Sequence, residues 1–280
     1  MNRSSAPARR RTGRALAGAG VAVGLATALL GCASGAGGRP GGAAGSEEAL
    51  SGELTVFAAA SLQAAFDELA AEFASENPGV AFAPSVYDGS SVLVTQLEGG
   101  ARADVFASAD EANMEKADEA DLLAGPAQTF ATNELVIAVA PGNPLGIESL
   151  ADLAAPTASG EPPITVMCAA EVPCGGAART LLDLNGVALA PASEEQNVSA
   201  TLAKVVAGEA DAGLVYRTDV RGADGEVDGV DIEGAAENPN AYPIAVLRES
   251  ASPEAARAFV EFVRSERGRE LLAGYGFGAP

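Results

Sequence analysis

The sequence predicts an α/β fold of two lobes, each a mostly parallel β-sheet flanked by helices. From Glu53 onward, short apolar segments rich in β-forming residues alternate with segments of helical periodicity. This β-α-β alternation is typical of a mostly parallel sheet covered by helices. The length of 280 residues suits two such lobes better than one large sheet.

The predicted elements follow one another closely along the chain. The first strand is predicted at Glu53–Ala58, and Ser61 is the predicted N-cap of the helix that follows. Further strands are predicted at 80–87, 104–108, 134–140, 164–168, 212–216, 227–232 and 242–246. Further helices are predicted to start at 92 and 110 and to occupy 150–154, 175–184, 199–207 and 253–265.

The composition excludes several functional classes. The chain has 17 basic and 38 acidic side chains, a formal charge of −21, and such a charge disfavours nucleic acid as a partner. It has no histidine, which excludes histidine-based nucleophile systems, His acid–base catalysis and His-ligated metal sites.

The N-terminal residues have the pattern of an export signal. Residues 1–14 carry five arginines and no acid, and residues 15–30 form an uncharged apolar stretch too short for a membrane span. The stretch ends in Leu29-Leu30-Gly31-Cys32, which resembles the lipobox of bacterial lipoproteins. Residues 1–31 are therefore predicted to be a lipoprotein signal peptide, with Cys32 as the lipidated residue. An ordinary signal peptide with an incidental cysteine is the alternative.

Residues 32–51 are predicted to form the lipidated cysteine and a flexible tether, because they contain almost no large apolar side chain. Loss of residues 1–31 would remove five arginines and change the formal charge from −21 to −26. The protein is therefore expected to be exported and lipid-anchored to the outer face of the cell membrane, with an acidic surface that keeps it soluble.

Two further cysteines, Cys168 and Cys174, are an even number in an exported chain and suggest a disulfide. Free thiols are the alternative.

The predicted strand-to-helix junctions carry hydroxyls and free backbone N–H groups. Ser61, Ser90 and Ser91 lie at such junctions in the first half, and Cys174 and Val198 lie at helix starts in the second. The first N–H groups of a helix lack an intrahelical partner and lie at the positive end of the helix dipole. Several of them facing one cleft would make a neutral oxyanion site. Each serine alone is explained as simply by helix capping.

Five segments in order resemble the periplasmic molybdate-binding proteins of ABC importers. They are Val56–Leu62, Gly89–Gly100, Ala103–Asp110, Gly213–Tyr216 and Tyr275–Phe277. The likeness runs from about residue 52 to 280. It implies a two-lobed periplasmic-binding-protein-like fold of type II, with one lobe at 52–132 plus 235–280 and the other at 135–230. Hinges are expected near 132–136 and 232–244.

The resemblance also implies the ligand and the residues that hold it. The ligand would be molybdate or tungstate, bound as an oxyanion without a cation site or a cofactor. Hydroxyls of Ser61, of Ser90 or Ser91, and of Tyr216 would donate to it, together with the backbone N–H groups of Cys174 and Val198. A Cys168–Cys174 bridge would stiffen the loop that presents the Cys174 N–H.

The expected function is capture of the anion by hinge closure, with delivery to an ABC permease and its cytoplasmic ATPase. A monomer that contacts the membrane only through its lipid anchor and does not bind nucleic acid is expected. Binding of sulfate, phosphonate or a small organic anion on the same fold is the first alternative. A secreted enzyme using Asp104 or Asp110 and a structural surface lipoprotein are the others. The resemblance indicates that both aspartates cap and brace the lobe, so no catalytic residue is expected.

Overall fold

The computed structural model describes residues 49–280. The predicted signal peptide, Cys32 and most of the predicted tether lie outside these residues. The strands are Ser51–Leu54 (β1), Val56–Ala59 (β2), Gly79–Phe82 (β3), Val86–Asp88 (β4), Val105–Ala107 (β5), Gln128–Asn133 (β6), Leu135–Val139 (β7), Thr165–Cys168 (β8), Ser193–Glu195 (β9), Ala212–Tyr216 (β10), Asp228–Asp231 (β11) and Asn240–Val246 (β12). The α-helices are Gln63–Glu76 (α1), Ser90–Glu98 (α2), Glu111–Glu119 (α3), Pro173–Leu184 (α4), Val198–Val206 (α5), Arg217–Gly222 (α6), Pro253–Arg264 (α7) and Glu266–Tyr275 (α8).

The strands form two five-stranded sheets and one two-stranded pair. The first sheet has the order β4-β2-β5-β12-β6, and the second has the order β11-β7-β10-β8-β9. Strands β1 and β3 form a separate parallel pair. Helices flank these sheets, so the predicted α/β class is confirmed.

Both large sheets are mixed, and the prediction of mostly parallel sheets is wrong in this respect. The pairs β2–β4, β2–β5, β8–β9 and β8–β10 are parallel. The pairs β5–β12, β6–β12, β7–β10 and β7–β11 are antiparallel. Strands β7 and β12 each enter a sheet directly from the other sheet, at the end where the β-α-β strands finish. They must therefore run opposite to those strands.

The chain passes between the two sheets twice. Asn133 ends β6 and Leu135 begins β7, and the return runs from Asp231 at the end of β11 to Asn240 at the start of β12. Arg217 forms ion pairs with Glu134, in the first crossing, and with Asp231, where the second begins. The crossings therefore lie side by side. The exact lobe limits and the hinge motion stay predictions.

Three predicted segments differ in detail from the structure. The strand predicted at 53–58 is divided at Thr55, and its first part starts at Ser51, which pairs with Gly79. Leu50 packs against the core, so the predicted tether ends before residue 50 instead of at residue 51. The strand predicted at 80–87 is divided into β3 and β4 around Pro84, which has no N–H for a sheet hydrogen bond.

An aromatic cluster fills the space between α1, α7 and β3. Phe259 of α7 is fully buried. Its ring centroid lies 6.2 Å from that of Phe66, 5.4 Å from that of Phe73 and 5.0 Å from that of Phe82. All three pairs are edge-on, the geometry that aromatic quadrupoles prefer. Phe259 therefore joins α7 to α1 and β3.

Within the described residues, no helix is both long and apolar enough to cross a membrane.

Truncation of Phe259 tests the importance of this cluster. Phe259→Ala is expected to lower the free energy of unfolding by about 3–5 kcal/mol, because it removes a fully buried ring and leaves a cavity. Urea denaturation followed by circular dichroism measures this loss. Leu184→Ala removes a side chain that is 61% exposed and is the matched control. Equal stability of both variants would contradict the central role of Phe259.

Candidate functional site

A small cavity lies where strands of both large sheets end. Strands β2, β4 and β5 of the first sheet and β8, β9 and β10 of the second lead into the segments that line it. The ligand site of α/β proteins is expected at this edge, where strands end and helices begin. The lining residues are Ala59, Ala60, Ser61, Asp88, Gly89, Ser90, Ala109, Val172, Pro173, Cys174, Val198 and Tyr216.

The cavity suits a compact ligand. The space open to the centres of water-sized atoms is about 10 Å³. The four oxygens of a tetrahedral oxyanion all lie one bond length from the central atom, so their centres need a space of this scale. The lining residues include no Lys or Arg, so a bound anion would meet no positively charged side chain on the wall.

Ser61 lines the cavity but does not cap α1 as predicted. It lies in a single 3₁₀ turn, Ala60–Leu62, and α1 begins after it at Gln63. Its Oγ lies 2.9 Å from the hydroxyl oxygen of Tyr242. The 3₁₀ turn moves the helix start past Ser61, so its hydroxyl faces the cavity and Tyr242.

Ser90 and Ser91 begin α2, but Ser90 alone lines the cavity. Consecutive helical residues point in directions about 100° apart, so the two side chains cannot share one wall. Ser90 Oγ accepts a hydrogen bond of 3.0 Å from the Ala109 N–H, which leaves its own hydrogen free to donate. Of the two serines that the sequence left open, Ser90 lies on the cavity wall and Ser91 does not.

Tyr216 closes the cavity at the end of β10. The Asn240 amide nitrogen donates to the Tyr216 hydroxyl oxygen at 2.9 Å and to the Ala109 carbonyl at 3.0 Å. A carbonyl only accepts, so it fixes the orientation of the amide and leaves the Tyr216 hydrogen free to donate. Burial raises the pKa of Tyr216 well above its ordinary value, and the nearby Asp110 carboxylate acts in the same direction. Its hydroxyl is therefore a neutral donor.

Cys174 lies in the first turn of α4, after Pro173. In this turn its N–H has no acceptor within the helix. Cys174 and Cys168 form a disulfide with Cα atoms 5.7 Å apart, which joins this turn to the end of β8. Gly175 packs so closely that an added Cβ would lie 1.9 Å from the Ala169 carbonyl oxygen. The loop that presents the Cys174 N–H is thus tightly constrained.

Val198 is the first residue of α5, and its N–H is likewise without an intrahelical acceptor. Asn197 caps this helix, because its Oδ1 accepts a 2.9 Å hydrogen bond from the Ala200 N–H. The structure therefore brings together five of the six residues predicted as ligands: Ser61, Ser90, Cys174, Val198 and Tyr216.

The sequence reasoning missed a layer of polar residues behind these donors. Asn133 donates to the Tyr242 hydroxyl at 3.3 Å, and its own Oδ1 accepts from the Glu134 N–H. Tyr242 and Asn240 both belong to β12, whose residues return from the second sheet. Both asparagines lie where the chain crosses between the sheets. That position could have signalled a role only if the crossings had been located in the sequence.

Asp88 also lines the cavity and was not predicted. Its Oδ1 accepts hydrogen bonds of 2.8 Å from the Gly89 N–H and 2.7 Å from the Asn197 amide. A carboxylate at a wall repels an anion, and these two donors offset part of its charge.

The two aspartates considered for catalysis have structural contacts, as the resemblance indicated. Asp110 caps α3 by accepting from the Asn113 N–H at 3.0 Å. Burial raises its pKa. Asp104 accepts from the Thr55 N–H at 2.7 Å and from the Ser250 hydroxyl at 2.7 Å. In the part of the chain that the structure describes, no three His, Cys, Asp or Glu side chains are grouped so that they could hold a metal ion.

Asp219 supports the last residue of β10 from behind. Its Oδ2 accepts a 2.8 Å hydrogen bond from the Tyr216 N–H. Burial raises the pKa of Asp219 to about 7, although this hydrogen bond acts in the opposite direction. The folded chain thus holds a proton on Asp219 at pH values where the unfolded chain has released it.

This difference predicts a pH dependence of stability. Because the folded pKa lies above the unfolded one, the contribution of Asp219 falls as pH rises from about 4 to about 7. Relative to Asp219→Asn, wild type is expected to lose about 2–4 kcal/mol of unfolding free energy across this range. Urea denaturation at several pH values measures the difference. Asp118→Asn, on the exposed face of α3, is the control, and a flat difference for Asp219→Asn would contradict the prediction.

The chain matches a known protein family and is similar to known proteins. Residues 54–278 match the family described as bacterial extracellular solute-binding protein. The chain is 47% identical over 231 residues to the molybdate-binding protein ModA of Mycobacterium tuberculosis H37Rv, covering 81% of this chain and 85% of that protein. It is 32% identical over 245 residues to ModA of Escherichia coli K12, covering 84% of this chain and 92% of that protein.

Solved structures share the fold. The periplasmic molybdate-binding protein of Azotobacter vinelandii has a TM-score of 0.65 at 21% identity, covering 81% of this chain and 99% of that chain. The sulfate-binding protein SubI from Mycobacterium tuberculosis H37Rv has a TM-score of 0.68 at 18% identity, covering 80% of this chain and 86% of that chain. These similarities confirm the predicted two-lobed fold. Together with the match over residues 54–278, they show that the chain belongs to the bacterial extracellular solute-binding protein family.

Proposed function

We propose that this protein captures molybdate, and also tungstate, outside the cytoplasm for an ABC importer. The observation that carries the proposal is the cavity in which five predicted ligand residues from both sheets converge, without a basic side chain on its wall. The 47% identity to the molybdate-binding protein ModA supports the choice of ion. The relatives of this chain are binding proteins, and we propose no catalytic role for any residue.

Neutral donors would hold the dianion. An anion that leaves water loses a large hydration free energy, so every oxygen needs donors inside the site. The first turns of α2, α4 and α5 all reach the cavity wall, and each presents N–H groups at the positive end of a helix dipole. Hydroxyl donors from Ser61, Ser90 and Tyr216 would complete the shell.

The layer behind the site would direct these hydroxyls. Asn240 donates to the Tyr216 oxygen, so the Tyr216 hydrogen would be available to donate to the ligand. Asn133 donates to Tyr242, which leaves the Tyr242 hydrogen for Ser61 Oγ and the Ser61 hydrogen for the ligand. Donors oriented before binding lower the ordering cost of binding.

Capture would occur by hinge closure of the two lobes. Donors come from both sheets, so neither lobe alone forms a complete shell. The two crossings at Asn133–Leu135 and Asp231–Asn240 lie side by side and are the proposed hinge. We place the lobes at 52–132 plus 235–280 and at 135–230.

The delivery step would involve partners outside this chain. The proposed partners are an ABC permease and its cytoplasmic ATPase, and the protein would act as a monomer. Export by the signal at residues 1–31 and lipidation of Cys32 would hold the domain at the outer face of the cell membrane.

Calorimetry tests the ligand directly. The chain from Glu47 onward keeps every described residue and, freed of ligand, is titrated with sodium molybdate, sodium tungstate and sodium sulfate in one buffer. One-to-one binding of molybdate and tungstate with no heat from sulfate is expected, because sulfate is smaller and would leave donors unpaired. Tight sulfate binding would support the alternative anion on the same fold. The absence of binding heat with all three anions would contradict the proposal.

Removal of single hydroxyls tests the binding residues. Ser61→Ala and Tyr216→Phe are each expected to raise the Kd for molybdate about 10- to 100-fold, because each removes a hydrogen bond to a charged ligand worth about 1.5–3 kcal/mol. Ser91→Ala is the matched control, since Ser91 lies off the cavity wall, and its Kd should stay at the wild-type value. A weakened Ser91→Ala with an unaffected Ser61→Ala would contradict the placement of these donors.

A further inference from the structure

Gly89 lies at a close contact between the first lobe and the second. It precedes α2 on the cavity wall, and a Cβ at this position would lie 2.1 Å from the carbonyl oxygen of Gln196. The φ of Gly89 is −59° and its ψ is 136°, values that any L-residue adopts. Its backbone conformation therefore does not require glycine. The contact with Gln196, in the segment before α5, requires it.

The residues on either side of this contact form a hydrogen bond across the lobes. Asn197 follows Gln196, and its Nδ2 donates to Asp88 Oδ1 at 2.7 Å. Asp88 precedes Gly89 and also accepts from the Gly89 N–H at 2.8 Å. Asp88 Oδ1 thus accepts one hydrogen bond from its own lobe and one from the opposite lobe.

Asn197 is oriented for this bond before the lobes meet. Its Oδ1 accepts from the Ala200 N–H at 2.9 Å as the cap of α5, so its Nδ2 points away from the helix. The cap is a contact within the second lobe and does not depend on closure. The bond to Asp88 therefore costs little additional ordering when the lobes close.

We propose that Asp88, Gly89 and Asn197 form a closure latch that sets the affinity of the site for its anion. This inference rests on the proposed function. The three are positioning residues: Gly89 allows the lobes to approach, and the Asp88–Asn197 hydrogen bond stabilises the closed state alone. The bond also draws the Asp88 charge towards donors of the protein and away from an anion in the cavity.

The position of the latch explains why a carboxylate is tolerated beside an anion site. In the open state, Asp88 would keep its hydrogen bond from the Gly89 N–H, and water would solvate the rest of the carboxylate. In the closed state, the Asn197 amide replaces water as a donor. A charge-assisted hydrogen bond of this kind is about twice as strong as a neutral one. The carboxylate thus contributes to closure although its charge opposes the ligand.

The first test is Gly89→Ala. The variant is expected to fold as wild type does, with an unchanged melting temperature in the absence of ligand, if the open state predominates without ligand. The added methyl group would meet the Gln196 carbonyl and raise the Kd for sodium molybdate about 10- to 100-fold. Small-angle X-ray scattering should show that molybdate compacts wild type more than the variant. Gly125→Ala is the matched control, since a Cβ there meets no atom within 4 Å.

The second test is Asn197→Ser. Serine caps helices as well as asparagine does, so α5 and the melting temperature should be preserved. The variant lacks the amide that reaches Asp88, and its Kd for molybdate is expected to rise about 10-fold, since the lost hydrogen bond is to a charged group. A purely structural role of Asn197 would instead lower the melting temperature and leave the compaction by molybdate unchanged.

The outcomes separate the latch from the proposed function. Wild-type binding of molybdate with weakened binding in both variants supports the latch. Wild-type affinity in either variant contradicts it, while the proposed function stands. If the wild-type chain does not bind molybdate, the proposed function is contradicted. The latch is then contradicted too, because it serves that function.

Discussion

Convergence of strand ends from both sheets on one cavity is the constraint on which the other features of the site depend. Three strands of each sheet lead into its wall, and the donors they present are too few on either sheet to surround an anion. The chain must therefore cross between the sheets at this same edge. The two crossings do so side by side, and Arg217 joins them through Glu134 and Asp231. The mixed direction of the strands is a consequence, because β7 and β12 enter their sheets from the cavity end.

A layer of amides behind the cavity gives the hydroxyls their direction. Asn133 and Asn240 belong to the crossing segments, and each donates to a tyrosine hydroxyl at the site. Burial raises the pKa of both Tyr216 and Tyr242, so both remain neutral donors. The segments that connect the lobes thus also orient the donors. A change in these crossing segments, the proposed hinge, is expected to alter both the approach of the lobes and the direction of the hydrogen bonds.

The net charge of the chain is strongly negative, whereas the cavity wall is made mostly of neutral donors. The sequence carries a formal charge of −21, yet the cavity wall presents hydroxyls, helix N-termini and one carboxylate whose Oδ1 accepts two hydrogen bonds. Surface charges beyond a Debye length of about 10 Å are largely screened, whereas donors in contact with a buried ion are not. An acidic protein can therefore bind an anion, provided that the groups in direct contact with the ion are donors and the Asp88 carboxylate is held by donors of the protein.

The sequence by itself determined the α/β class and the strand-to-helix junctions, because hydrophobic periodicity and helix-start chemistry are local properties. The proposed ligand residues at these junctions came from the resemblance of five segments to a known family. Ser61, Ser90 and Cys174 follow predicted strands, and Tyr216 ends one. The strand before Val198, β9, was not predicted. The tertiary structure alone decided the rest. The direction of β12, the choice of Ser90 over Ser91 and the contact of Gly89 with Gln196 depend on segments distant in sequence. Strands β6 and β9 and helices α6 and α8 were missed in the sequence. Strand β6 pairs with β12, β9 pairs with β8, and α8 packs against α1 and α7. Such contacts exist only once the chain has folded, which is why periodicity and spacing could not supply them.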